Sequence, residues 1–255
     1  LGHQAGLAIT AATTTAHDNL MYGRYAGMRV IEGDDNILLG RNVFCTSHCG
    51  SHNVMMGFKT GAGIPQTGNP TGNVFIGKYV ACAYTASQTN SVIIGSEASR
   101  CGMSSAGVLL GSNAGKGQVG CLHHKNVFIG AEAGFSVSTT SYNIFIGNNA
   151  GYCVMSGNGR NVYLGLDAGR DSVKGTYNVA IGCAAGRASN SGSNSTASHN
   201  VSIGRCAGLS LSTSGQNVFI GREAGMGLIG GTTNIAMSNG AMKCSTTAVT
   251  NIALG

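Results

Sequence analysis

Apolar residues fall into a short motif that recurs along the chain: Asn, aliphatic, variable, aliphatic, Gly. It appears fourteen times, as NLMYG at Asn19, NILLG at Asn36, NVMMG at Asn53, NVFIG at Asn73, SVIIG at Ser91, GVLLG at Gly107 and NVFIG at Asn126. NIFIG at Asn143, NVYLG at Asn161, NVAIG at Asn178, NVSIG at Asn200, NVFIG at Asn217, NIAMS at Asn234 and NIALG at Asn251 complete the series. Start-to-start spacings of 17, 17, 20, 18, 16, 19, 17, 18, 17, 22, 17, 17 and 17 describe a 17-residue unit that takes short insertions between strands. Insertions confined to one part of a repeat mark a surface loop.

A second element, x-x-Ala-Gly, follows the Gly, as at Ala26-Gly27, Ala114-Gly115, Ala133-Gly134, Ala150-Gly151, Ala168-Gly169, Ala185-Gly186, Ala207-Gly208 and Ala224-Gly225. Four positions after that Ala an apolar residue often returns, at Val137, Val154, Leu211 and Leu228. Each unit reads as a strong short strand, a Gly corner, a weaker Ala-led strand and a polar return. The predicted fold is all-β, a parallel β-solenoid or β-roll of about 14 coils of about 17 residues. At roughly 4.8 Å per coil, the stack would be a rod on the order of 65 Å long.

Side chains alternate between faces of a strand, so the second and fourth motif positions point the same way. They are almost always Val, Ile or Leu, as in Val127 and Ile129 or Val218 and Ile220, and are assigned to the coil interior. Each buried aliphatic contributes about 1.5–3 kcal/mol. The third position would then face outward, yet Met21, Leu38, Met55, Phe75, Ile93, Leu109, Phe128, Phe145, Tyr163 and Phe219 make ten of its fourteen occupants apolar. A continuous apolar column of that kind marks an interface, so self-association is expected through it. The leading Asn, present in twelve of fourteen copies, fits a ladder of stacked amides or a turn residue tolerant of positive φ.

Composition agrees with the pattern. The chain has 42 Gly among 255 residues, 2 Pro, no Trp and 9% charged residues, which argues against helix. Its 42% hydrophobic content is too high for a disordered Gly/Ser tract. No apolar run reaches 18 residues and no charged leader opens the chain, so neither a membrane span nor a signal peptide is expected. The repeat domain is taken as 1–255, with 1–18 a partial or capping coil, and the chain as a piece of a longer protein. Nine cysteines without a CxxC pair point to reduced thiols. Cys183 and Cys206, beside the corners, read as small buried apolar residues.

The NVFIGxxAG units resemble repeats of tail-fibre and virion-surface proteins of tailed bacteriophages and large algal viruses. More distantly, they resemble the head domains of trimeric autotransporter adhesins. The resemblance spans Asn19 to Gly255, although the unit here is longer than the adhesin unit and carries aromatics at its third position. It implies a left-handed roll packed as a homotrimer.

Candidate chemistry is sparse. GMGLIG at Gly225 to Gly230 matches a dinucleotide fingerprint in letters only, since a strand follows it where a helix would be required. Nine Asp and Glu form no repeated pair suited to acid and base work, and Glu32, Asp34 and Asp35 read as a solvated turn. Cys45, His48, Cys49 and His52 crowd one loop with zinc-ligand chemistry but no familiar finger spacing. His123 and His124 near Cys121 are a weaker cluster. Arg24, Arg41, Lys78, Arg205 and Arg222 beside the corners, with Arg170 and Arg187 after Ala-Gly, would line a basic edge. Such an edge solubilises an apolar rod, or attracts an acidic glycan, a lipopolysaccharide or nucleic acid. Hexapeptide, ice-binding and calcium-binding solenoid periods do not occur.

The sequence therefore predicts a non-enzymatic structural virion protein, a fibre or spike shaft mediating host attachment. No catalytic, cofactor or metal residues are assigned. Its expected partners are copies of itself as a homotrimer, other virion proteins and a host-surface glycan, with no membrane insertion and no nucleic acid. The alternatives are a cellular trimeric adhesin head or stalk and a tailspike depolymerase.

Overall fold

The structure is a computed structural model that describes residues 2–10, 15–82, 88–101, 103–117, 122–154, 159–188 and 195–255. Helix among these is a single 3-10 turn, Leu7–Thr10. The chain forms two units, Leu1–Asn126 and Val127–Gly255.

In the first unit, β1 (Leu20–Tyr22), β2 (Ile37–Leu39), β3 (Val54–Met56), β4 (Val74–Ile76), β5 (Val92–Ile94) and β7 (Val108–Leu110) stack in that order as parallel strands. The returns leading into two successive strands carry a second two-stranded parallel sheet, β6 (Met103–Ser105) with β8 (Leu122–His124). In the second unit β9 (Val127–Ile129), β10 (Ile144–Ile146), β11 (Val162–Leu164), β12 (Val179–Ile181), β13 (Val201–Ile203), β14 (Val218–Ile220), β15 (Ile235–Met237) and β16 (Ile252–Ala253) do the same. Each NVFIG-type segment is thus one of fourteen parallel strands of a β-solenoid. Register is like on like: Ile144, Phe145 and Ile146 face Val162, Tyr163 and Leu164. Backbone donors are met from the adjoining coils, as in Val54 N to Asn73 O at 2.8 Å and Gly57 N to Leu39 O at 2.8 Å. Short strands survive because every coil satisfies the next.

The two faces of the strand are reversed from the sequence expectation. The third position is the interior one: it is buried in twelve of the fourteen strands, from Leu38 to Ala236, with Met21 and Ala253 in the end strands less covered. The second and fourth positions look outward, half-buried or exposed throughout. The interior is completed by the Ala of x-x-Ala-Gly and by the apolar residue four positions on, both fully buried in Ala133 with Val137, Ala150 with Val154 and Ala224 with Leu228. Inside such a narrow coil there is room for one large side chain per strand, and those side chains stack. Phe128, Phe145 and Tyr163 lie ring on ring at 4.9 Å and within 7° of parallel.

Space explains the x-x-Ala-Gly signature. A Cβ on Gly134 would lie 2.7 Å from the Phe128 ring, and those on Gly151, Gly169 and Gly225 would collide in the same way with Phe145, Tyr163 and Phe219. The corner Gly closing the strand is needed for a different reason. From Gly23 to Gly221 its φ lies between 125° and 143°, and a Cβ there would meet the matching carbonyl one coil on, at 2.5 Å from Gly40 O for Gly23 and 2.4 Å from Ser238 O for Gly221. Ser238 alone occupies this corner without being Gly, at φ 135°.

The Asn column is an amide ladder. Asn217 donates both its backbone N–H (3.1 Å) and its Nδ2 (2.9 Å) to Asn200 Oδ1, and the same Nδ2 reaches Gly231 O at 3.0 Å. Identical rungs join Asn19, Asn36, Asn53 and Asn73 in the first unit, and Ser91 takes one of the same bonds through its backbone. In the second unit they run from Asn161 on Asn143 to Asn251 on Asn234. Positive φ falls on the residue before the Asn, such as His52 at 60° or Tyr177 at 58°.

Residues 2–10 repeat the corner without its strand. Gly2, Ala5 and Gly6 reproduce Gly-x-x-Ala-Gly, and Gly6 N donates to Ala26 O at 2.9 Å.

Candidate functional site

Two surfaces stand out from the regular coil. The first is the outward aliphatic pair of each strand, which the reversed assignment leaves facing solvent. Ile37, Ile94, Ile144, Ile146, Ile181, Ile203 and Ile235 are exposed by 36–39% of their surface, high for branched aliphatics in strands. Because the strands are in register, the second and fourth positions, these residues among them, form two parallel apolar columns in each unit. The outward apolar face expected at the third position is therefore found at the second and fourth.

The second surface is a groove in the first unit, about 470 Å³ in volume, lined by Asn42, Cys45, Lys59, Ala62, Tyr79, Cys82, Arg100 and Cys101. The corner places its cations on aromatic rings. Arg41 lies 4.6 Å from the Phe58 ring centre, and Lys59 lies 5.6 Å from Phe58 and 5.7 Å from Tyr79. Lys78 at 5.2 Å and Arg100 at 5.3 Å also approach Tyr79, whose ring meets Phe58 edge on. Glu97 is the local carboxylate, held by Arg100 at 3.0 Å and Lys116 at 2.9 Å, and these bonds keep it below the usual carboxylate range. No carboxylate lies within 4.0 Å of Arg41, Lys59 or Lys78 among the described residues. Burial raises the Cys45 and Cys82 thiols, with neighbouring cations partly opposing it.

The expected basic edge is partly neutralised in the second unit, although Arg205 has no carboxylate within 4.0 Å among the described residues. In the second unit Arg170 meets Asp167 at 3.3 Å, Arg187 meets Asp171 at 3.8 Å, Lys243 meets Glu223 at 2.7 Å and Arg222 bonds Asn239 at 3.1 Å. Arg24 rests on Tyr25 at 4.7 Å in the first unit. The sequence reading named Arg24, Arg41 and Lys78 but missed Phe58, Lys59, Tyr79 and Arg100. Their signal was available in the residues one, two and five places after the corner Gly, read down consecutive repeats.

The Cys45, His48, Cys49 and His52 cluster is not brought together. Cys45 lines the groove, Cys49 Sγ contacts Glu32 Oε2 at 3.6 Å and His52 Nε2 lies 3.5 Å from Asp35 Oδ2. No group of three His, Cys, Asp or Glu among the described residues is placed to hold a metal ion. His123 and His124 lie on β8, while Cys121 falls outside the described residues. Of the acidic turn, Asp34 Oδ1 accepts from His17 N at 2.8 Å, so its three carboxylates serve separate contacts. The eight described cysteines are free thiols. Contrary to expectation, Cys183 is exposed and Cys206 only half-buried, because their corner places point away from the coil interior. Within GMGLIG, Gly225 takes φ 63° and Leu228 is buried, both as parts of a coil corner. No helix among the described residues is long and apolar enough to cross a membrane.

No protein-family model matches the chain, and neither curated proteins nor solved structures give a match.

Proposed function

We propose that the chain is the shaft of a virion fibre or spike, a left-handed, homotrimeric β-roll that carries a host-attachment surface and has no catalytic role. The observation that carries this reading is the double column of outward Val, Ile and Leu. Columns repeated at every coil suit lengthwise packing of identical chains, in which each aliphatic meets its counterpart in a sister chain. Such contacts hide apolar surface that a single coil cannot turn inward, since its interior is already filled by the third position.

Light scattering on the purified chain checks the proposal. A mass three times that of the 25.7 kDa chain supports it, and a stable monomer at micromolar concentration overturns it.

A further inference from the structure

The groove beside Tyr79 combines three features. Lys59 and Arg100 line it with no carboxylate on Lys59, and the pair between Arg100 and Glu97 leaves Lys78 and Arg41 as further free cations beside it. Ala62 and the thiols of Cys45, Cys82 and Cys101 give it a largely apolar wall. Asn42 Oδ1 is buried with no hydrogen-bond partner, an acceptor awaiting a donor. The volume of about 470 Å³ lies within the range of small-ligand clefts, roughly 300–1,000 Å³.

We propose that this groove binds an acidic sugar chain, with a sugar carboxylate or sulfate between Lys59 and Arg100 and a hydroxyl donating to Asn42. A pyranose ring supplies what the wall needs, an apolar C–H face and hydroxyl donors on one rigid body. The aromatic rings position the cations: Tyr79 has Lys59, Lys78 and Arg100 within 5.7 Å of its centre and Phe58 at its edge. Cations thus already surround the ring on which a base would stack in single-strand binding. The cations gathered at the groove, Arg41, Lys59, Lys78 and Arg100, follow the corners of β2 to β5, a short footprint beside the many phosphate contacts of nucleic-acid binders. Choosing a sugar over other acidic ligands rests on the attachment reading above.

Titration calorimetry on the whole chain at low salt tests the groove. The probes are a hexuronate oligosaccharide, a sulfated oligosaccharide, a neutral glucose oligomer of equal length and a single-stranded oligothymidylate. One or both acidic sugars are expected to bind and the neutral oligomer not to, the preferred acid naming the charged group. Lys59→Gln and Arg100→Gln should each weaken binding at least tenfold, whereas Arg205→Gln and Arg222→Gln in the second unit should leave it unchanged. Circular dichroism confirms that each variant folds, with exposed Lys78→Gln as a milder second probe expected to weaken binding severalfold. Saturating sugar should also slow alkylation of Cys82 and Cys101 but not of exposed Cys183 and Cys244. Equal binding by wild type and Lys59→Gln, tighter binding of oligothymidylate, or no binding overturns the groove. A trimer that ignores both acidic sugars sinks the groove and leaves the shaft standing. A monomer that binds them through Lys59 does the reverse.

Discussion

Left-handed backbone recurs in every coil, and only some of the residues placed there are of types that bear it at small cost. The residue before each Asn and the residue two places after each corner Gly have φ near 55–60°, and Asp18, Asp35, Asn90, Asn42, Asn113, Asn149 and Asp167 belong to the types that tolerate it. Thr233 and Thr250 are the β-branched exceptions, and both lie with Ser238 in the last two coils. A non-Gly residue in such a region costs on the order of 1–3 kcal/mol. Ser238→Gly combined with Thr233→Asn should therefore raise hydrogen-exchange protection of Ile235 to Met237 at least fivefold, since about 1.4 kcal/mol is a factor of ten. Unchanged protection would mean that these corners relax without strain.

Tyr163 supplies a second test at the same scale. Its phenol is buried, donates to Ser172 Oγ at 3.1 Å, and burial pushes its pKa from the ordinary 10.0 to about 12, with the Ser172 bond opposing slightly. Below pH 10 the phenol is protonated in both folded and unfolded chains, so its contribution is complete. Between pH 10 and 12 only the unfolded chain releases the proton, and roughly 2–3 kcal/mol is lost as pH rises. Tyr163→Phe should flatten the fall of the urea midpoint between pH 9 and 11, though it is slightly less stable at pH 7. Parallel pH curves for the two proteins would contradict the assignment.

At the scale of the element, one rung of the ladder carries several obligations. Removing the Asn217 amide leaves the Asn234 backbone N–H and Nδ2 without their acceptor, and takes a donor from both Asn200 Oδ1 and Gly231 O. Each buried orphan costs about 1–3 kcal/mol, so Asn217→Ala should destabilise by about 3 kcal/mol or more in urea unfolding. A loss under about 1 kcal/mol would make the ladder incidental. The ladder was one of two roles the recurring Asn left open, and the Gly corners were legible in the sequence, because a recurring Gly needs a steric reason. The direction of the strand was not. Period-two alternation separates two faces but does not say which is inside, and here both faces are apolar. The deciding clue was volume: Gly134, Gly151, Gly169 and Gly225 stand where Phe128, Phe145, Tyr163 and Phe219 need room. The groove was less visible still, since Asn42, Lys59, Tyr79 and Arg100 come from four coils and meet only through stacking.

Across the molecule, both units turn the same aliphatic pair outward and the same third position inward, and that arrangement separates stability from assembly. Ile181 and Ile203 are register partners on adjacent strands, each exposed by 36%, while Phe219 on the next strand is fully buried. Replacing Phe219 with Ala removes a large interior side chain and should cost about 3–5 kcal/mol in any assembly state. Ile181→Asp with Ile203→Asp places charge on a face already open to solvent in the single chain. The isolated coil should therefore retain its strand circular dichroism, while an assembly packed through that face would have to bury two carboxylates without partners. The double variant is expected to scatter light as a folded monomer where the parent is a trimer. If the Asp pair unfolds the chain while Phe219→Ala is benign, the inside and outside of the coil have been exchanged. If the Asp pair stays trimeric, sister chains meet through some other surface.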